Sequence, residues 1–358
     1  MAETGREEMT RLKRVIPSRR QALTMLGGTA AFAAMGPLAA RAQSMTAVVG
    51  TWGGDYQNLL QENIVTPILE PRGVTIQYDV ASAPPRKNKM FAERRLPRGS
   101  LDIVAFSDID MFEMSLTGLL EELDEDQFPN SANIIPALRK SFAAPHIFSG
   151  LALVYNPEHA NPQSWADMWD PAYAGRVGFA DGLYVQHLTA ATLAAGGNVS
   201  DLEPGKEMLM RLRDNGGANV YPSNEAVAQA LQTGEIWMTP MWRARSFQWA
   251  NDGIPVRDIV PTEGTTPISF EFGIPVNAPN KEAAYAFLDA MLEPEAQDRF
   301  ADSMGYVPVV NNAPLSDDLE AVLTFTEEEQ KRFFTPDYEY IAENNDQFRN
   351  WWTREFLA

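Results

Sequence analysis

Trp52-Gly53-Gly54-Asp55 places an indole, two glycine amides and a carboxylate at one short turn. Free backbone N–H groups at a helix start can hold a polar group, while an indole stacks on an apolar or cationic one. Trp242-Arg243 follows Pro240 at the exit of a strand-like run, where an aromatic and a guanidinium would face a cleft. Ser107-Asp108 and Asp181 with Tyr184 stand at two further strand-to-helix junctions. Helix capping explains Ser107, Asp108 and Asp181 equally well. Glu271 is a lone acid in an apolar run, suited either to a ligand cation or to a buried ion pair. His146, His159 and His187 are far apart with no local pair at metal-binding intervals, so each reads as an ordinary surface or loop histidine. No metal and no cofactor is expected. The chain has no cysteine, no phosphate-cradling lysine loop and no G-x-S-x-G elbow, and no pair of acids stands out as a catalytic dyad.

The elements that must position these groups alternate between short β-rich runs and helical stretches, which predicts an α/β architecture. Thr46–Thr51, Val74–Val80 and Leu101–Phe106 read as strands, with a helix from Tyr56 to Leu69 between the first two. A second series begins with Leu151–Asn156 and Val177–Asp181. It continues with a helix capped by Ser223 and stopped by Gly234, and returns as Ile236–Thr239. Trp237 lies within that strand and reads as core. Phe272–Val276 is expected to cross back to the first series, after which Asn280 caps the helix Lys281–Leu292 and Pro294 opens another. The expected division is a first lobe over 45–148, a second over 149–272, and a return with C-terminal helices over 273–358. Hinges are expected near Ser149–Leu151 and Gly273–Pro275. Two such lobes enclose a cleft at strand carboxyl ends, where ligands bind.

Residues 1–42 read separately, as a cleavable export signal. Arg11, Lys13, Arg14, Arg19 and Arg20 precede the apolar run Ala22–Ala40, and Ala40-Arg41-Ala42 supplies small residues for cleavage before Gln43. Ser18-Arg19-Arg20-Gln21-Ala22-Leu23-Thr24 is similar to a twin-arginine signal, with Ala22 where an aromatic is usual. No cysteine is available for a lipid anchor. The 358 residues carry 29 Lys+Arg and 48 Asp+Glu; the leader holds seven of the bases and three of the acids, leaving 22 against 45. So acidic a chain repels nucleic acid and anionic lipid. A soluble monomer is expected.

The ordered set Trp52-Gly53-Gly54-Asp55-Tyr56, Asp102-Ile103-Val104, Gly118-Leu119-Leu120, Leu153-Val154-Tyr155-Asn156, Ser164-Trp165-Ala166-Asp167-Met168-Trp169, Pro261-Thr262-Glu263-Gly264, Ala278-Pro279-Asn280-Lys281-Glu282-Ala283 and Gly305-Tyr306-Val307-Pro308 spans nearly the whole chain after the leader. It resembles the extracellular solute-binding proteins of ABC importers, in the branch with spermidine/putrescine binders. The resemblance implies a two-lobe, type II periplasmic-binding fold that shuts on a solute in the periplasm and docks on an inner-membrane permease. It places Trp52 and Trp242 at ring-sandwiching positions and matches Ser107 to a binding serine. Two departures affect the acidic clamp of polyamine binders: Gly182 and Val185 replace acids, and Phe270 aligns with an aspartate, leaving Glu271 one residue along and facing the other way.

The expectation is therefore non-catalytic capture of a small amine-type solute, using Trp52, Gly53, Asp55, Ser107, Asp108, Asp181, Tyr184, Trp242, Arg243 and Glu271. An alternative is an anionic or zwitterionic solute, such as an amino-phosphonate or a carboxylate, held by Arg243. Other classes are an exported hydrolase using two carboxylates and a purely structural surface protein.

Overall fold

Runs rich in Val, Ile, Phe and Tyr form the strands, and they do so in chain order: β1 (Met45–Thr51), β2 (Val74–Val80), β3 (Ile103–Ser107), β4 (Ala144–Tyr155), β5 (Val177–Ala180), β6 (Ala218–Tyr221), β7 (Met238–Trp242), β8 (Arg257–Ile259), β9 (Pro267–Gly273) and β10 (Val307–Pro308). The computed structural model describes residues 45–358. The expected leader, its twin-arginine-like stretch and its cleavage point lie outside the described residues.

The strands follow the order β2-β1-β3-β9-β4-β7-β5-β6, with β8 and β10 each paired to β4. β1 runs parallel to β2 and β3, and β5 runs parallel to β6 and β7. β4 serves both halves. Its residues Ala144–Gly150 pair antiparallel with β9, and Leu151–Tyr155 pair antiparallel with β7. The exchange of partners falls between Gly150 and Leu151.

Two apolar cores flank that exchange. One gathers Val49, Leu60, Ile64, Ile103, Phe272, Phe287 and Phe300. The other gathers Leu153, Trp165, Phe179, Leu188, Val227 and Met238. Two features depart from the expected division. The chain returns to the first half earlier than residue 273, because β9 already pairs Phe270 with Ser107 and Gly273 with Val104 of β3. The last helix, Tyr338–Trp351, buries Ile341, Phe348 and Trp351 in the second core rather than the first. Those positions recur at helical spacing on one face, and Trp352 and Phe356 extend it.

Local signals explain most element ends. Ser107 caps the helix Asp108–Ser115 by accepting from the Asp110 N–H at 3.3 Å, and Ser223 caps Asn224–Gln232 through the Ala226 N–H at 3.2 Å. Asn280 precedes the helix Lys281–Met291 without capping it through its side chain; its backbone N–H instead donates to Asp102 at 2.6 Å. The expected helix from Tyr56 begins at Asp55 and widens to a π-helix over Gln61–Leu69, with Pro67 inside. A wider turn tolerates the N–H that proline lacks. Among the described residues no helix is long and apolar enough to cross a membrane.

Candidate functional site

β1 ends at Thr51, and the chain leaves the sheet through Trp52-Gly53-Gly54 into the helix Asp55–Leu60. Gly54 sits at φ 68°, a region that L side chains rarely adopt. A Cβ on Gly53 would lie 2.7 Å from a Val80 methyl, so only glycine lets the turn approach the end of β2. The turn fixes Trp52, whose ring meets Tyr56 and Phe270 edge-on at 5.5 and 5.4 Å. The Arg86 guanidinium lies over the same indole at 5.0 Å. Burial pulls Arg86 down to about 10, and its N–H groups reach the carbonyls of Ala105 and Ala81. Trp52 is therefore held rigidly at the mouth of the first lobe.

Trp52, Gly53 and Asp55 border a cavity of about 860 Å³. Glu62 and Asn58 continue the same wall, and Phe270 and Tyr306 also line the cavity. The opposite wall carries Leu183, Glu225, Trp242, Arg245 and Asp252. Strands or helices of both cores thus contribute, and the cavity is the gap between them. Four of its lining residues are acids (Asp55, Glu62, Glu225, Asp252) and one, Arg245, is a base. Burial opposes ionisation of Glu225, but backbone and Ser223 hydrogen bonds and the charge of Arg245 outweigh it and hold the carboxyl below its usual range.

The ten residues expected to touch a ligand divide. Trp52, Gly53, Asp55 and Trp242 border the cavity. Trp242 is only 4 % exposed, so most of its ring is core and truncating it would also open a hole. The other six lie off the cavity and are bonded elsewhere. Ser107 is occupied as a cap. Asp108 accepts from the Tyr338 hydroxyl at 2.8 Å and from the Ile109 N–H at 2.9 Å. Asp181 accepts from the Trp352 indole N–H at 2.7 Å, and the Tyr184 hydroxyl donates to Asn345 at 2.6 Å. Asn344 and Asn345 sit inside the helix Tyr338–Trp351.

Arg243, expected to meet a ligand anion, is spent internally. Its Nε donates to Asp258 at 2.8 Å, Nη2 to Glu329 at 2.5 Å and Nη1 to the Thr324 carbonyl at 2.9 Å, while Phe325 packs under it at 4.2 Å. Glu271 is 0 % exposed and takes Lys140 at 2.6 Å and the Ser269 hydroxyl at 2.5 Å. It resolves as a buried ion pair, with its neighbour Phe270 facing the cavity, as strand alternation requires. The histidines also differ from expectation: His146 and His187 are fully buried, and burial lowers them to about 3 and about 4. Both are neutral core residues, His146 contacting the Tyr56 hydroxyl at 2.9 Å.

Sequence reasoning missed Arg245, Glu225, Glu62, Asp252 and Tyr306. Arg245 carried a usable signal, because it lies three residues beyond Trp242 on the helix Arg243–Asn251, hence on the same side.

Residues 66–326 match the family described as bacterial extracellular solute-binding protein. The chain belongs to that family. Among curated relatives it is 26 % identical over 222 residues to the spermidine/putrescine-binding periplasmic protein of Escherichia coli strain K12, a match covering 58 % of this chain and 63 % of that protein. It therefore spans less than two thirds of that relative. A gamma-aminobutyric acid-binding protein of Pseudomonas aeruginosa is 24 % identical, over 76 % of this chain and 79 % of its own. An ABC transporter substrate-binding protein from Bradyrhizobium japonicum has a similar solved structure, with TM-score 0.76, 22 % identity, and coverage of 88 % of this chain and all of that one. The family and the fold agree: this is the α/β periplasmic-binding architecture of two lobes around a ligand cleft.

Proposed function

We propose that this protein is the non-catalytic capture component of an ABC importer, working in the periplasm and delivering a small aliphatic amine to an inner-membrane permease. The observation that carries the reading is the composition of the interlobe cavity: four carboxylates against one guanidinium, with Trp52 and Trp242 on facing walls. A protonated amine is drawn to such a cleft by focused negative potential, and its methylenes gain by lying against indole rings. The named ligands of the two relatives, polyamines in one and an amino acid in the other, share that amine. Lobe closure about β4 would exclude water and strengthen each contact.

Titration calorimetry with 1,4-diaminobutane, spermidine and 4-aminobutanoate tests this directly. One-to-one binding is expected, with the bound compound recovered intact by mass spectrometry. Trp52→Ala should weaken it by about five- to thirtyfold, since a stacked cation contributes about 1–2 kcal/mol. Absence of binding by any primary amine, or release of a converted product, would overturn the proposal.

A further inference from the structure

Two arginines stand two residues apart at the start of one helix, and the structure treats them oppositely. Arg243 meets two carboxylates and a carbonyl with its N–H groups. Arg245 lines the cavity with no carboxylate of the described residues in salt-bridge contact, although acids line both walls. Its single partner is the neutral Gln248 side-chain carbonyl, which accepts from Nη1 at 2.8 Å. Gln248 is itself anchored, donating its amide to the Met304 carbonyl at 2.5 Å. The Arg245 Nε is buried and lacks an acceptor.

This pattern is that of a site awaiting its anion. A guanidinium in a confined space with no carboxylate in hydrogen-bond contact is unfavourable. With Nη1 held by Gln248 and Nε enclosed by protein, Nη2 is the donor left without a protein partner, and it suits one oxygen of a carboxylate. A diamine offers no anion to that donor and would place a second positive charge beside it. Arg245 also lies close enough to Glu225 and Tyr306 to influence their ionisation, so its charge is felt within the cavity.

We propose that Arg245 receives a carboxylate on the same solute whose amine meets the acidic wall, so that the ligand class is an ω-amino carboxylate rather than a polyamine. The proposal rests on the amine capture argued above and assigns the solute's other end. Asp55 and Glu62 both line the first-lobe wall, and either would take the amine there. Arg245 takes the carboxylate from the second. A solute charged at both ends then bridges the lobes, and closure is favoured by both contacts at once.

The test is calorimetry on the full mature chain with a series of ω-amino carboxylates of two to six carbons and the matching α,ω-diamines. Wild type should bind its preferred amino carboxylate at least about tenfold more tightly than the matched diamine. Arg245→Gln, checked for an unchanged melting temperature, should lose about tenfold or more for the amino carboxylate and none for the diamine. Arg245→Lys, which keeps the charge on a shorter side chain with a single nitrogen, should fall between. Preference for the diamine in wild type, or an unaltered ratio in Arg245→Gln, overturns the assignment while leaving amine capture standing. Failure of both series to bind overturns both.

Discussion

Asp108 provides a measurement of how the buried polar layer behind the cleft is held. Burial, reinforced by the neighbouring Glu271 carboxylate, raises its pKa from 3.8 to about 7, while Lys140 and the hydrogen bonds from Tyr338 and Ile109 pull the other way. A carboxyl whose folded-state pKa lies above its unfolded value takes up a proton on folding. Its stabilising contribution is complete below about pH 4 and is lost as the pH rises through 7. At pH 5 the group lies two units below its folded pKa, so the loss between pH 5 and pH 8 is roughly 2–3 kcal/mol at about 1.4 kcal/mol per unit. Asp108→Asn keeps one oxygen for the Ile109 N–H, turns an amide N–H toward the Tyr338 hydroxyl, which can rotate to accept, and cannot ionise. Urea unfolding at several pH values, followed by fluorescence and near-ultraviolet circular dichroism to confirm coincident transitions, should show wild type losing that amount relative to the variant. A difference between the two proteins that stays constant across this range would show that Asp108 does not titrate between its folded and unfolded states, and the burial argument would fail.

Arg243→Met should cost about 3–5 kcal/mol in urea unfolding, because Asp258 and Glu329 are left without their shared cation, yet should leave the amine affinity of the folded protein within about twofold. A stable variant with weakened binding would instead place Arg243 in the site. Gly305→Ala should lower the melting temperature and weaken ligand binding together, since Gly305 has φ 71° and an added Cβ would run into the Phe247 ring, which borders the cavity. An unchanged melting curve would mean that this contact between the lobes is absent in solution.

The strands, and several helix ends, were legible because their causes are local. Alternation marks β2, serine side chains cap at Ser107 and Ser223, and Gly234 at φ 72° ends a helix. Trp52, Gly53 and Asp55 were legible for the same reason: a glycine-rich turn directly after a buried strand has few alternatives. The crossing points were not. β9 belongs with β3 and β4 through pairings to residues more than a hundred positions away, and no local pattern in Phe272–Val276 encodes that. The choice between Arg243 and Arg245 was similarly hidden. Both lie in the first turn of the same helix, and only the distant Asp258 and Glu329 decide which guanidinium is neutralised.

The carboxyl ends of β1 and β7 border the cavity, whereas those of β3 and β5 meet a competitor. The final helix and the residues after it present Tyr338 to Asp108, Asn345 to Tyr184 and the Trp352 indole to Asp181. Tyr338 also stacks on Phe112 at 5.5 Å and lies beneath the Lys140 ammonium at 4.9 Å. The polar groups at these two strand ends are thus partnered by the chain itself. On this side of Trp242 the remaining space is about 20 Å³, room for a single water. On its other side lies the 860 Å³ cavity with Trp52 and Arg245. A solute in that cavity would meet one face of the Trp242 ring, and the acids lining it are Asp55, Glu62, Glu225 and Asp252 rather than those at the ends of β3 and β5.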